Sequence, residues 1–140
     1  MADNIAKTFS FELVSPERKL ISEPAQMVVV PAEDGDIGVL ADHTAIVASL
    51  RAGVISFHRE GHAEPMKIFV SGGFADISAK NLTVLAEEAI NVKSLDVITL
   101  EKQMADLKDD ISIAKNEIER NRFSRQLALV ELKMEAAKAV

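Results

Sequence analysis

Residues 27–53 read MVVVPAEDGDIGVLADHTAIVASLRAG. The stretch opens on Val28, Val29 and Val30, β-branched residues that suit a pleated surface. Pro31 has no N–H to give a ladder, so the first strand is expected to stop there. Glu33, Asp34, Gly35 and Asp36 read as a turn with a negative tip. Ile37, Val39 and Leu40 rebuild apolar strand beyond it, and His43 follows between Asp42 and Thr44. Ile46 to Leu50 is a further strand, closed by Arg51, Ala52 and Gly53. Three strands are thus expected around one acidic turn and one histidine.

The same signals continue on both sides. All 6 glycines and all 4 prolines lie between Pro16 and Gly73, which suits short strands and turns followed by a region free to be helical. Phe9, Phe11 and Leu13 alternate with Ser10 and Glu12, the pattern of a half-buried strand. Ser15 to Arg18 is a turn, and Lys19 to Val30 returns with Pro24 as an edge or bend. Val54 to Phe57 and Met66 to Val70 read as a hairpin around Arg59, Glu60, Gly61 and His62. Phe74 to Ile77 and Leu82 to Ala86 follow after Gly72 and Gly73. Many short strands joined by turns predict a mostly antiparallel sandwich or barrel.

Near Asn91 the period changes. Val97, Leu100, Met104, Leu107, Ile111, Ala114 and Ile118 are spaced 3, 4, 3, 4, 3, 4, an amphipathic helical stripe. A second stripe runs Phe123, Leu127, Val130, Met134, Ala137. Two phases predict two helices or one kinked helix. Ser94 is the expected N-cap, with Asp96 favourable in the first turn. The least helical cluster, Lys108 to Ser112, is the expected turn. Residues 94–112 carry 2 basic and 5 acidic side chains, whereas residues 113–140 carry 6 and 4. Opposite signs favour the two segments folding back on each other.

Composition excludes several function classes. A net charge of −6 over 140 residues argues against nucleic acid as a partner, since phosphate binding needs clustered Lys and Arg. Cysteine is absent, so there is no disulfide or thiolate chemistry. Residues 1–8 hold no apolar run, so no secretory signal is expected. No stretch approaches the ~20 apolar residues of a membrane span, so work at a membrane means docking on another protein there. With Trp and Tyr absent, a base-stacking or sugar-stacking platform is not expected.

Several pieces occur in a distinctive order. Val28-x-x-Pro31 precedes the acidic Gly35 loop, Gly38-Val39-Leu40, His43 and Leu50-x-x-Gly53. Ser71-Gly72-Gly73-Phe74 and Leu82-Thr83-Val84-Leu85-Ala86-Glu87 come next. This order resembles the epsilon subunit of the F-type, rotary, proton-translocating ATP synthase (delta in mitochondria) over residues 8–138. Ala32, Ala41-Asp42 and Ala52 depart from the residues common there, changing turn chemistry and not the strand pattern.

The resemblance implies an α+β chain: a flattened sandwich of about ten short strands over residues 1–92, then an antiparallel helical hairpin over 93–140. It implies a central-stalk subunit with no catalytic residues and no cofactor. Such a subunit links the gamma subunit to the membrane proton-driven ring, on the cytoplasmic side of the bacterial inner membrane. It implies that His43 lies near gamma and that Glu33, Asp34, Gly35 and Asp36 face the polar loops of the ring. Arg120, Arg122, Arg125 and Lys133 would meet an acidic loop of the alpha/beta catalytic head and hinder ATP hydrolysis. Some relatives bind ATP through Ile/Leu-Asp-x-x-Arg-Ala. Here Leu95-Asp96 is kept but Thr99-Leu100 replaces Arg-Ala, which removes the phosphate-pairing cation.

Other readings compete. His58 and His62 have a ligand spacing only if helical, and here they bracket a turn. Asp34-x-Asp36 lacks the rest of a calcium loop. Gly35-x-x-Gly38 lacks the Lys-Ser/Thr of a phosphate loop. A free-standing sandwich module with a coiled-coil dimerisation tail and a small metal-dependent hydrolase centred on His43 are the two rivals.

Overall fold

Strict alternation builds the first strand. β1 (Phe9–Val14) buries Phe9, Phe11 and Leu13 and turns Ser10, Glu12 and Val14 to the other face, as a two-residue period requires. The computed structural model describes residues 7–139. After β1 come β2 (Lys19–Ala25), β3 (Met27–Ala32), β4 (Gly35–Val39), β5 (Ile46–Leu50) and β6 (Gly53–His58). β7 (Met66–Val70), β8 (Gly73–Ile77), β9 (Asn81–Ala86) and β10 (Ala89–Asn91) complete the strands. A 3₁₀ turn, Val92–Ser94, leads to α1 (Val97–Ser112) and α2 (Glu117–Lys138). The chain divides into two compact units, one up to Ile90 and one from Asn91.

The strands pair in the order β10-β7-β6-β3-β5-β8-β9-β1-β2, and β4 pairs with β3. β1 and β9 run parallel, and the other registered pairs are antiparallel. The β3–β5 link is a single pair, Ala32 with Leu50. That link is a corner: β5, β8, β9, β1 and β2 form one layer, and β4, β3, β6, β7 and β10 the other. Between them lies one apolar cluster that includes Phe11, Leu13, Val28, Val30, Ile55, Phe57, Leu82 and Val84. Phe11 and Phe57, from opposite layers, meet edge to face with centroids 4.9 Å apart. Such a pair adds about 0.5–1.5 kcal/mol beyond the area it buries.

Backbone approach is tightest at Gly73. Its φ is +146°, and a Cβ there would stand 1.9 Å from the Leu85 carbonyl oxygen. Only glycine lets β8 and β9 come this close.

Several expectations need correction. β3 does not stop at Pro31, which pairs with Asp36 inside the ladder. Proline lacks a donor but keeps its acceptor, and the Pro31 carbonyl accepts from the Arg51 N–H at 2.9 Å. The acidic turn is shorter than four residues: Ala32 pairs with Gly35, leaving Glu33 and Asp34 as the tip. Leu40 lies outside the strand and is exposed. β10 carried too short a pattern to be read from the sequence.

The helical unit departs further. Ser94 belongs to the 3₁₀ turn, and Asp96 is the N-cap of α1. Its carboxylate accepts from the Ile98 N–H at 3.1 Å and from the Thr99 hydroxyl at 2.8 Å. α1 continues through the cluster expected to break it. The turn is Ile113 to Asn116, where Asn116 caps α2 by accepting from the Glu119 N–H at 2.8 Å. A good cap outweighs the weak helix propensity of two aspartates. The stripe therefore overran: Ile118 is 81% exposed. The helices pack as a hairpin around Leu100, Val130 and Met134, flanked by Leu95, Val97, Met104, Leu107 and Ala137.

Candidate partner-binding surfaces

The β3–β4 hairpin ends in two exposed carboxylates. Glu33 and Asp34 form the tip, and Gly35 follows with φ +140°. The Glu33 N–H donates to the Ser49 carbonyl at 3.0 Å, tying the tip to β5. Asp36 does not stand free: Arg51 Nη2 lies 2.6 Å from its Oδ1.

His43 occupies a separate loop. Asp42 holds a φ of +66°, a left-handed conformation that Asp tolerates better than most residues. Its N–H donates to the Ala79 carbonyl at 2.7 Å and its carboxylate meets Lys7 Nζ at 3.1 Å. His43 Nδ1 lies 2.7 Å from the Thr44 carbonyl oxygen. A carbonyl only accepts, so Nδ1 carries the proton and Nε2 is the nitrogen left for a partner. β4 separates this loop from the acidic tip by about 13 Å at the usual strand rise. The two features flank opposite ends of β5, because Ile46 follows the His43 loop while Leu50 pairs with Ala32.

Between them lies a surface that the sequence reading did not single out. Val47 is 70% exposed, Phe74 56% and Leu85 54%. Phe74 pairs directly with Leu85 and with Ser49, and Val14 pairs with Leu85 from the far side. Leu40, in the loop before His43, is also exposed, at 55%. Clustered exposed apolar residues of this kind mark interaction surfaces. A signal was present: Phe74 and Leu85 sit on the outward phase of strands whose inward phase is Ala75 and Ile77, and Leu82, Val84 and Ala86.

The basic residues of α2 are not brought together as one patch. Arg120 lies 3.4 Å from Glu117, and Arg122 stands over the Phe123 ring at 5.1 Å. At about 100° per residue, Arg122 and Arg125 share a face while Arg120 points about 140–160° away. Arg120, Arg122 and Arg125 are exposed, whereas Lys133 is half-buried in a groove with Asp106, Asp110 and Leu129.

The remaining candidates find structural roles. Asp96 and Thr99 are occupied by the helix cap described above. His62 Nδ1 lies 3.2 Å from the Glu60 carbonyl, inside its own loop. Among the described residues, no three of His, Asp and Glu gather as a metal-ligand set.

Comparison with known proteins gives the family. A family model described as the ATP synthase Delta/Epsilon chain beta-sandwich domain matches residues 8–92. The ATP synthase epsilon chain of Rhodospirillum centenum is 40% identical over 135 residues, covering 94% of this chain and 92% of that one. The epsilon chain of Maricaulis maris is 40% identical over 136 residues, covering 97% and 98%. A chain in the cryo-EM structure of the Euglena gracilis mitochondrial ATP synthase, OSCP/F1/c-ring in rotational state 1, superposes with a TM-score of 0.81 at 25% identity. The match covers 96% of this chain and 84% of that one. A chain of the Tetrahymena thermophila mitochondrial ATP synthase central stalk and c-ring shares the fold, with a TM-score of 0.60 at 7% identity.

Proposed function

The chain belongs to the ATP synthase epsilon chain family, and on that premise we propose that its sandwich clamps the gamma subunit to the membrane ring. It carries no chemistry of its own in this reading, and it transmits rotation. The observation that carries the proposal is the outward apolar row of Phe74 and Leu85 beside Val47, with the His43 loop at one end of β5 and the acidic tip at the other. The apolar row suits gamma, and the tip suits the polar loops of the ring. Among the described residues no helix is long and apolar enough to cross a membrane. From the family we read the protein as held peripherally, on the cytoplasmic side, through its partners.

The test is re-binding of the full chain to a complex stripped of it. Phe74→Ser with Leu85→Ser should weaken binding at least about ten-fold, since burying the exposed half of each side chain is worth about 0.8–1.6 kcal/mol. The same double substitution should leave the isolated sandwich folded, because both side chains are exposed. Unchanged binding with the fold intact would sink the clamp.

We propose further that the helical hairpin restrains ATP hydrolysis. The support is its separateness as a unit and the exposed Arg122 and Arg125 on one face of α2, with Arg120 exposed on another. Each exposed ion pair is worth only about 0.2–1 kcal/mol, so several must act together and salt must weaken them. Ending the chain after Lys93 should preserve assembly and proton-driven synthesis while raising hydrolysis. Replacing the three arginines with alanine should give part of that rise. Unchanged hydrolysis in the truncated enzyme at low salt would leave the hairpin a structural role only.

A further inference from the structure

Arg51 stands at the junction of β5 and β6 and grips the β3–β4 hairpin three times. Its backbone N–H donates to the Pro31 carbonyl at 2.9 Å. Nη1 donates to the Ala32 carbonyl, and Nη2 donates to Asp36 Oδ1 at 2.6 Å. These acceptors surround the tip, since Ala32 pairs with Gly35 and Pro31 with Asp36. β4 pairs with β3 alone. β3 is tied to β5 through Ala32 and the Glu33 N–H, but β4 has no such tie among the described residues, and the guanidinium fork supplies one through Asp36.

The pair is poorly suited to adding stability. The Arg51 side chain is 45% exposed and that of Asp36 60%, a setting in which ion pairs contribute little. What the fork supplies is geometry, because it spans a backbone carbonyl and a carboxylate on both strands of one hairpin. It also sorts the acidic residues. Asp36 is engaged, whereas Glu33 and Asp34 are exposed and enter none of the ion pairs formed among the described residues.

We propose that Arg51 is a positioning residue with Asp36 as its strut, and that the pair aims Glu33 and Asp34 at a cation-bearing loop of the ring. The proposal rests on the reading of the tip as a ring contact. It gives the three carboxylates different work: two meet the partner and one holds the aim.

Two measurements separate the parts. In the isolated full chain, Arg51→Gln and Asp36→Asn should each speed amide exchange at residues 33–36 by up to about five-fold, the scale of one exposed pair. The thermal midpoint should stay nearly unchanged. The charge exchange Arg51→Asp with Asp36→Arg should bring the slow rates back in part. In re-binding to the stripped complex, Arg51→Gln and Asp36→Asn should each weaken binding by about three- to five-fold, and the charge exchange should restore it.

Glu33→Gln with Asp34→Asn should weaken binding most at low salt, with exchange at the tip unaltered. Unchanged exchange in Arg51→Gln would overturn the strut. Restored tip order without restored binding would make Asp36 a direct contact and overturn the division of labour. Full binding by the Glu33 and Asp34 variant would overturn the ring contact. That failure is distinguishable because the exchange result needs no partner.

Discussion

A buried side chain in the sandwich is enclosed by two layers, whereas the core of the hairpin is shared by two helices and their lead-in. Phe11 and Phe57 touch across the layers, and most of the strands contribute to one cluster. The hairpin rests on Leu100, Val130 and Met134 with a half-buried fringe. Helices owe most of their stability in proteins to such packing, so a narrow core means a unit that opens readily. The difference is between a broad two-layer core and a narrow helical one. The proposed clamp and the proposed brake need those opposite properties.

Three substitutions put that contrast under strain. The largest effect is expected at Gly73, where a Cβ would collide with the Leu85 carbonyl. Gly73→Ala should cost about 4 kcal/mol or more in denaturant unfolding of the sandwich, the upper tail for single substitutions. A loss below about 1 kcal/mol would show that β8 and β9 can part cheaply and that the sandwich is not rigid there.

Next comes Met134→Ala, which empties the middle of the hairpin core. Deletions of this kind cost about 2–5 kcal/mol. Amides of α1 and α2 should lose protection while those of β1, β8 and β9 keep theirs. Protection lost in both regions would mean that the units unfold together, and the contrast would fail.

The smallest effect is expected at the hairpin turn. Asn116→Ala removes the acceptor for the Glu119 N–H and should cost about 1 kcal/mol of helical stability. Fraying should appear in the first turn of α2 by backbone chemical shifts, with α1 unaffected. Fraying spread through both helices would show a hairpin that melts as one piece.

What could be read in advance divides along the same line. Strands announced themselves because alternation, Gly and Pro are local signals, as in Phe9, Phe11 and Leu13. The turn at Ile113 to Asn116 was hidden because Ala114 and Ile118 kept the helical spacing across it. Asn116 was the only residue marking the restart. Pro31 misled because a proline's missing donor says nothing about who uses its carbonyl. The exposed row of Phe74 and Leu85 follows from strand phase, but its neighbourhood depends on pairing between β8 and β9. The grip of Arg51 on Ala32 and Asp36 spans 19 and 15 positions, and no local pattern announces it.

The parallel pairing of β1 with β9 sets the order in which this protein can be made. Ser10 lies beside Asn81 and Val14 beside Leu85, so β1 waits for β9 to be made. Until the chain has been synthesised through Ala86, β1 and β2 form a two-stranded ribbon open on both flanks. Such ribbons are marginal alone, and non-local closure is slow. The nascent chain therefore passes through a period in which the edge of β1 that β9 will occupy stands unpaired, the condition in which chains need protection from aggregation.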